Sequence, residues 1–229
     1  MRIFIGYDAQ ETVAFHVFMH SIMRRASIPV QITPLILSQL PMTREREPSQ
    51  STDFSFSRFL VPYLCNYEGT AIYADCDMLC RADIAELECV QSEAVRVVQH
   101  DYAPRREDKF LAHAQSIYDR KNWSSFIRFN NERCTALTPD YVNTATGLDL
   151  HQFRWLDDSK IGKLDPAWNH LVGEYPPNPD AKIAHFTRGS PCFKKFADCE
   201  FSDEWYNEKN RVNHYNNIGE YALEARTGT

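Results

Sequence analysis

Short apolar runs alternate along this chain with stretches whose apolar residues recur every three or four positions. The first kind of run fits a buried strand and the second an amphipathic helix. Arg2–Ile5 reads as a first strand. Glu11–Arg25 reads as a helix, with Val13, Ala14, Val17, Phe18 and Ile22 at helical spacing. Val30–Leu37 reads as a second strand, made irregular by Pro34. Leu40–Asp53, rich in proline and charge, reads as a long loop of the kind that often carries function. Phe54–Asn66 sets Phe56, Phe59, Leu60 and Leu64 on one face and is expected to be helical, with Pro62 starting or kinking a turn. Thr70–Ala74, Ala94–Gln99, Ser125–Asn130 and Lys182–Phe186 complete the expected strands. The last thirty or so residues are polar with scattered aromatics, among them Phe193, Phe196, Phe201, Trp205 and Tyr206.

Strands separated by helices predict an α/β layered domain with a mostly parallel, twisted sheet flanked by helices. One domain is expected over residues 1–195, with residues 196–229 as a helical tail packed on it. In such sheets ligands sit outside the carboxyl ends of the strands. That rule points to the residues just after Ala74.

Those residues are Asp75-Cys76-Asp77. At a strand end the chain turns, and acids at i and i+2 can converge on one point. Two close carboxylates repel each other unless one is protonated or a cation bridges them. Hard oxygen ligands suit Mn²⁺ or Mg²⁺. The plainer reading is an acidic turn in which Asp83 also takes part. His185 ends another apolar strand, ahead of Gly189-Ser190-Pro191, and imidazole is a competent third ligand. A lone His is more often structural, but beside two carboxylates it completes a metal set of Asp75, Asp77 and His185.

A strand ending in Asp-x-Asp has two enzymatic meanings. One is the metal site of a glycosyltransferase. The other is the nucleophile motif of an aspartate-dependent phosphatase, with Asp157-Asp158 as its second acidic motif. Such phosphatases carry Thr or Val two residues after the second Asp, where this chain has Leu79. A non-catalytic sugar- or nucleotide-binding module is a third reading.

Composition narrows the field. A net charge of −6 argues against nucleic acid as a partner, because no basic stripe neutralises phosphates. Seven cysteines form no compact framework, so reduced thiols in a cytoplasm are expected, free or beside a membrane where glycans are assembled. Cys76 and Cys80 lack the second pair a zinc site needs. The first residues read as a strand rather than an export signal, and no apolar run reaches the roughly 18–20 residues that span a bilayer. No GxGxxG, Walker or HExxH pattern occurs. Trp123, Trp155, Trp168 and Trp205 read as core residues or sugar-stacking platforms rather than redox groups. Arg105-Arg106-Glu107-Asp108-Lys109 reads as a solvated loop or an acceptor-side lid.

Over residues 2–195 the chain resembles glycosyltransferases of the GT-A fold, most of all the retaining family 8 type. The resemblance rests on Phe4-Ile5-Gly6-Tyr7-Asp8, on Ser57-Arg58-Phe59-Leu60 ahead of Asp75-Cys76-Asp77, on Phe129-Asn130-Asn131, on Leu164 to Asn169, and on His185 to Gly189. It implies a catalytic domain that binds a UDP-sugar donor and transfers the sugar to a glycan or other hydroxyl acceptor. It implies that Asp75, Asp77 and His185 hold Mn²⁺ or Mg²⁺ against the diphosphate. Gly6, Tyr7 and Asp8 would border the base and ribose, with Ala74, Cys76 and Gly189 lining the nucleotide. Arg58 would face the phosphate or the donor sugar. Asn130, Asn131, Asp157 and Asp158 are the candidates for the sugar end of the site. Where the family carries Asp-Gln-Asp this chain has only Asp157-Asp158. Where the family carries a Lys after the late Gly, this chain has Pro191-Cys192, with Arg188, Lys194 and Lys195 as the nearby cations.

Overall fold

The computed structural model describes residues 1–45, 52–101 and 118–213. The expected loop 40–53 falls partly outside these residues; Arg105 to Lys109 and the tail beyond residue 213 fall wholly outside them. Strands β1 (Arg2–Gly6), β2 (Gln31–Leu35), β3 (Thr70–Ala74), β5 (Val95–Val97), β6 (Phe126–Asn130) and β7 (Ile161–Lys163) form one sheet in the order β2-β1-β3-β6-β5-β7. Only β6 runs against its neighbours; the other pairs are parallel. A small second sheet joins β4 (Met78–Cys80), β9 (Ile183–His185) and β8 (His170–Leu171).

The inner strands are largely apolar because both of their faces are covered, with Arg128 in β6 a buried exception. Ile3, Ile5, Ile72, Tyr73, Ile127 and Phe129 have lost almost all contact with solvent. β2 lies at the sheet edge and alternates between exposed and half-buried positions. An edge strand tolerates Pro34, which cannot donate to a ladder. Helix α1 (Thr12–Arg25) buries Ala14, Phe15, Val17, Phe18 and Ile22.

Phe54–Asn66 differs from expectation. It is a tight 3-10 turn over Ser57–Leu60 followed by one helical turn, α2 (Val61–Leu64). Pro62 has no N–H and fits only the first turn of a helix, so the chain restarts there instead of running through. Asn66 and Tyr67 then take left-handed backbone, which ends the turn. Two short helices were not expected: α3 (Pro139–Thr144), capped by Thr138 on the Tyr141 amide, and α4 (Gly147–His151), capped by Thr146 on the Asp149 amide. Within the expected tail, Ser202–Asn213 forms α5. Its Trp205 is buried with Val17, Leu79, Val172 and Phe186.

Candidate functional site

β3 delivers Asp75 to the C-terminal edge of the main sheet, and β4 starts three residues later. β4 pairs with β9 in the antiparallel register Met78↔His185. The Phe186 amide donates to the Asp77 carbonyl at 2.8 Å. This pairing sets His185 Nε2 3.3 Å from Asp77 Oδ1. One ligand atom each from Asp75, Asp77 and His185 all lie within 4.8 Å of one another. Two carboxylates and an imidazole at that separation form a set that can hold one divalent ion.

Asp75 and His185 are held from behind. Asp75 Oδ1 accepts the Tyr73 hydroxyl at 2.6 Å and faces Arg58 Nη1 at 3.0 Å. The Asp75 amide donates to Ser125 O at 2.9 Å. Burial pushes the Asp75 carboxyl above its ordinary pKa; Arg58 opposes this and Asp77 adds to it. A cation between the carboxylates would relieve that cost. His185 Nδ1 donates to Asn169 Oδ1 at 2.8 Å. The Asn169 amide nitrogen in turn donates to Ser125 Oγ at 2.9 Å and Asn122 O at 3.4 Å, which keeps its oxygen toward the imidazole. With the proton on Nδ1, the lone pair of Nε2 faces Asp77.

Arg58 is turned differently from expectation. Its guanidinium is buried and points inward, donating to Ser55 O at 3.0 Å and Ser124 O at 2.8 Å besides facing Asp75. Burial alone would lower its pKa; Asp75 and its neighbours raise it instead, so it stays charged. It fixes Asp75 from beneath.

The residues expected around the nucleotide cluster at the same sheet edge. A Cβ on Gly6 would stand 2.5 Å from the Phe54 ring and 2.8 Å from the Tyr73 hydroxyl, so glycine there leaves room for the hydroxyl that holds Asp75. The Tyr7 hydroxyl meets Thr12 Oγ1 at 3.2 Å. Asp8 is buried; it accepts the Gln10 amide at 2.9 Å and the Asp53 amide at 3.1 Å, pinning the segment that leads to Arg58. Ala74 and Cys76 are buried, and the Cys76 thiol lies 3.6 Å from Glu11 Oε2. Gly189 has φ 144, a backbone that glycine adopts at least cost, and closes the turn after β9 with its amide 2.7 Å from Phe186 O.

Asn130 and Asn131 are not brought to this cluster. Asn130 is registered opposite Thr70, at the start of β3, whereas Asp75 follows its end. Five strand residues separate the two, roughly 15 Å. Asn131 is buried at that same far edge, donating to Glu68 O at 3.0 Å. The reversed direction of β6 is the reason. Asp157 caps a turn on the Ser159 amide, and Asp158 forms a surface ion pair with Arg120 at 2.8 Å. Of the substitute cations, Lys194 and Lys195 are exposed and Arg188 runs along Gly173.

Three residues of the site went unassigned in the sequence. Tyr73 stands two positions before Asp75, a spacing that puts strand side chains on one face. Asn169 lay within a matched stretch without a role. Glu11 is buried; burial, then Asp77 and Asp8, raise its pKa well above the ordinary value. No helix among the described residues is long and apolar enough to cross a membrane.

No protein-family model matches the chain. Solved structures share its fold. The apo bifunctional glycosyltransferase WbbM superposes with a TM-score of 0.67 at 13% identity, covering 91% of this chain and 49% of its own. The apo glycosyltransferase GlyE of Streptococcus pneumoniae TIGR4 gives 0.59 at 13%, covering 98% and 63%. The galactosyltransferase LgtC, solved with donor and acceptor sugar analogues, gives 0.57 at 10%, covering 92% and 96%. The chain thus spans about half of WbbM and under two thirds of GlyE. The shared architecture is the mixed α/β GT-A fold with a central six-stranded sheet. Protein CDI of Arabidopsis thaliana is 46% identical over 228 residues, covering 94% of this chain and 88% of its own. Identity at that level over nearly the whole of both sequences means that this chain belongs to the family of Protein CDI.

Proposed function

We propose that the chain is a metal-dependent glycosyltransferase that moves a sugar from a UDP-sugar, with retention, to a hydroxyl of a glycan or other acceptor. Residues 1–195 would be its catalytic domain, with residues 196–229 as a supporting tail. The observation that carries this reading is the Asp75–Asp77–His185 cluster at the C-terminal edge of a GT-A sheet. Mn²⁺ or Mg²⁺ is the ion such a donor set suits, and it would supply Lewis-acid charge opposite the departing diphosphate. The chain's own residues do the positioning. Arg58 and Tyr73 orient Asp75, and Asn169 fixes the tautomer of His185. Gly6, Tyr7 and Asp8 form the adjoining rim for base and ribose, with Ala74, Cys76 and Gly189 beside it. A front-face route, in which the leaving diphosphate assists the incoming hydroxyl, needs no protein nucleophile. His185 beside Asp77 also favours this reading over an aspartate-dependent phosphatase, whose phosphoaspartate chemistry has no use for it.

Thermal denaturation against nucleotides, with and without Mn²⁺, tests the proposal. UDP plus Mn²⁺ at about 100 times Kd adds about 2.7 kcal/mol, which raises Tm by roughly 5–10 °C. Neither component alone should do so. Asp77→Asn should abolish the joint shift, and a variant that kept full manganese-dependent UDP-sugar hydrolysis would overturn the metal assignment.

A further inference from the structure

The Asp75-Cys76-Asp77 turn is tied to three separate segments, one through each residue. The Asp75 amide donates to Ser125 O, and the Asp77 carbonyl accepts the Phe186 amide. Cys76 uses its side chain instead. It is fully buried, and its thiol donates to Glu11 Oε2 at 3.6 Å.

Glu11 ends the short 3-10 turn Ala9–Glu11 between β1 and α1, with its amide donating to Asp8 O at 3.0 Å. Its side chain is costly there. The residue is 2% exposed, and Oε1 has no hydrogen-bond partner among the described residues. Burial, then Asp77 and Asp8, penalise its charge. An apolar side chain of similar size would carry none of these penalties. What the acid has in return is the Cys76 thiol. That thiol belongs to the residue between the two carboxylates of the cluster. Tyr73 and Arg58 support Asp75, and Asn169 supports His185. Asp77 follows Cys76 directly, so a rotation of the backbone at Cys76 would swing its carboxylate away from His185.

We propose that Glu11 is a positioning residue for the metal set: by accepting the Cys76 thiol it fixes the turn that holds Asp77 against Asp75 and His185. This rests on the metal-dependent reading of the cluster. Glu11 also stands in the loop that carries Tyr7 and Asp8, so one side chain joins the proposed nucleotide rim to the metal ligands.

The test is a double-mutant cycle on the full chain, with Mn²⁺ affinity read by electron paramagnetic resonance for Cys76→Ala, Glu11→Leu and the two together. Cys76→Ala should weaken Mn²⁺ binding roughly three- to ten-fold, the worth of one ordinary hydrogen bond. Glu11→Leu also removes a carboxyl near the ion and should lose more. That difference enters both legs of the cycle and cancels. The double variant should therefore bind Mn²⁺ as Glu11→Leu alone does. Cys76→Ser keeps a donor and should recover most of the loss seen in Cys76→Ala. Losses that multiply in the double variant would overturn the proposal, as would no recovery in Cys76→Ser. A merely structural bond would lower Tm but leave the Mn²⁺ affinity of folded Cys76→Ala at its wild-type value, and that result too would overturn it. If wild type itself takes up no Mn²⁺, the metal-dependent reading falls, and this one with it. Wild-type uptake with multiplying losses would remove this proposal alone.

Discussion

Asn169 is neutral and fully buried, yet the chemistry of His185 depends on it. By accepting a hydrogen bond from Nδ1–H it leaves Nε2 as the nitrogen that faces Asp77, and the orientation of the ring is set by the same bond. Replacing Asn169 with Leu should therefore lower Mn²⁺ affinity about 10- to 100-fold while His185 remains in place, which a Mn²⁺ titration would measure. Such a support is hard to read from sequence, since nothing in a Trp-Asn pair says which neighbour the amide will meet. Asp75, Asp77 and His185 were legible for the opposite reason: each terminates or succeeds an apolar run, so each had to emerge at a strand end. Arg58 was legible as a site residue but not in its direction. A cation near an acidic motif fits a phosphate or a carboxylate equally well, and only packing against Tyr73 and Phe54 turned it inward.

Among the elements, α5 is tied to α1 by one buried acid. Glu208 meets His20 at 2.5 Å and Arg24 and Arg25 at 3.0 Å each. Burial works to raise its pKa, but hydrogen bonds from Arg24, His20 and Arg25 win and bring it down to about 2. The folded value lies below the ordinary 4.5, so the clamp adds stability above pH 4.5 and loses it as pH falls toward 2. Glu208→Gln should cost on the order of 2 kcal/mol at pH 7, discounted from a fully buried pair because Arg24 is 40% exposed. The difference should vanish near pH 2, as urea denaturation at both pH values would show. Long elements such as α1, β1 and β3 were plain in the sequence because their periodicity spans several residues. β4, β7 and β8 have two or three residues each, too few to show a period. α3 and α4 did carry a signal, since Thr138 and Thr146 each precede an acidic first turn. The misplacement of Asn130 came from the direction of β6: a strand's place in the sequence does not say which way it runs.

Across the molecule the seven cysteines are all free thiols. Cys65, Cys76, Cys80 and Cys134 are buried, whereas Cys89 and Cys192 are exposed. Burial pushes the thiols of Cys80 and Cys134 up to about 11 and about 12, so they resist ionisation as well as access. A thiol-titrating reagent should therefore modify Cys89 and Cys192 first in the native protein and reach all seven only after denaturation. Peptide mapping of the early product would check the order.

The Met78↔His185 register also sets a schedule. Asp75 and Asp77 leave the ribosome about a hundred residues before His185 does. Until β9 is made, β4 lacks its strand partner, and the two acids stand together without the imidazole. The cluster is complete only once the last third of the chain has closed over the first, so on the proposed function gain of an ion would mark a finished fold. A slip of one residue in that pairing would put Ala184 where His185 belongs, and ion affinity would report the fault before stability did.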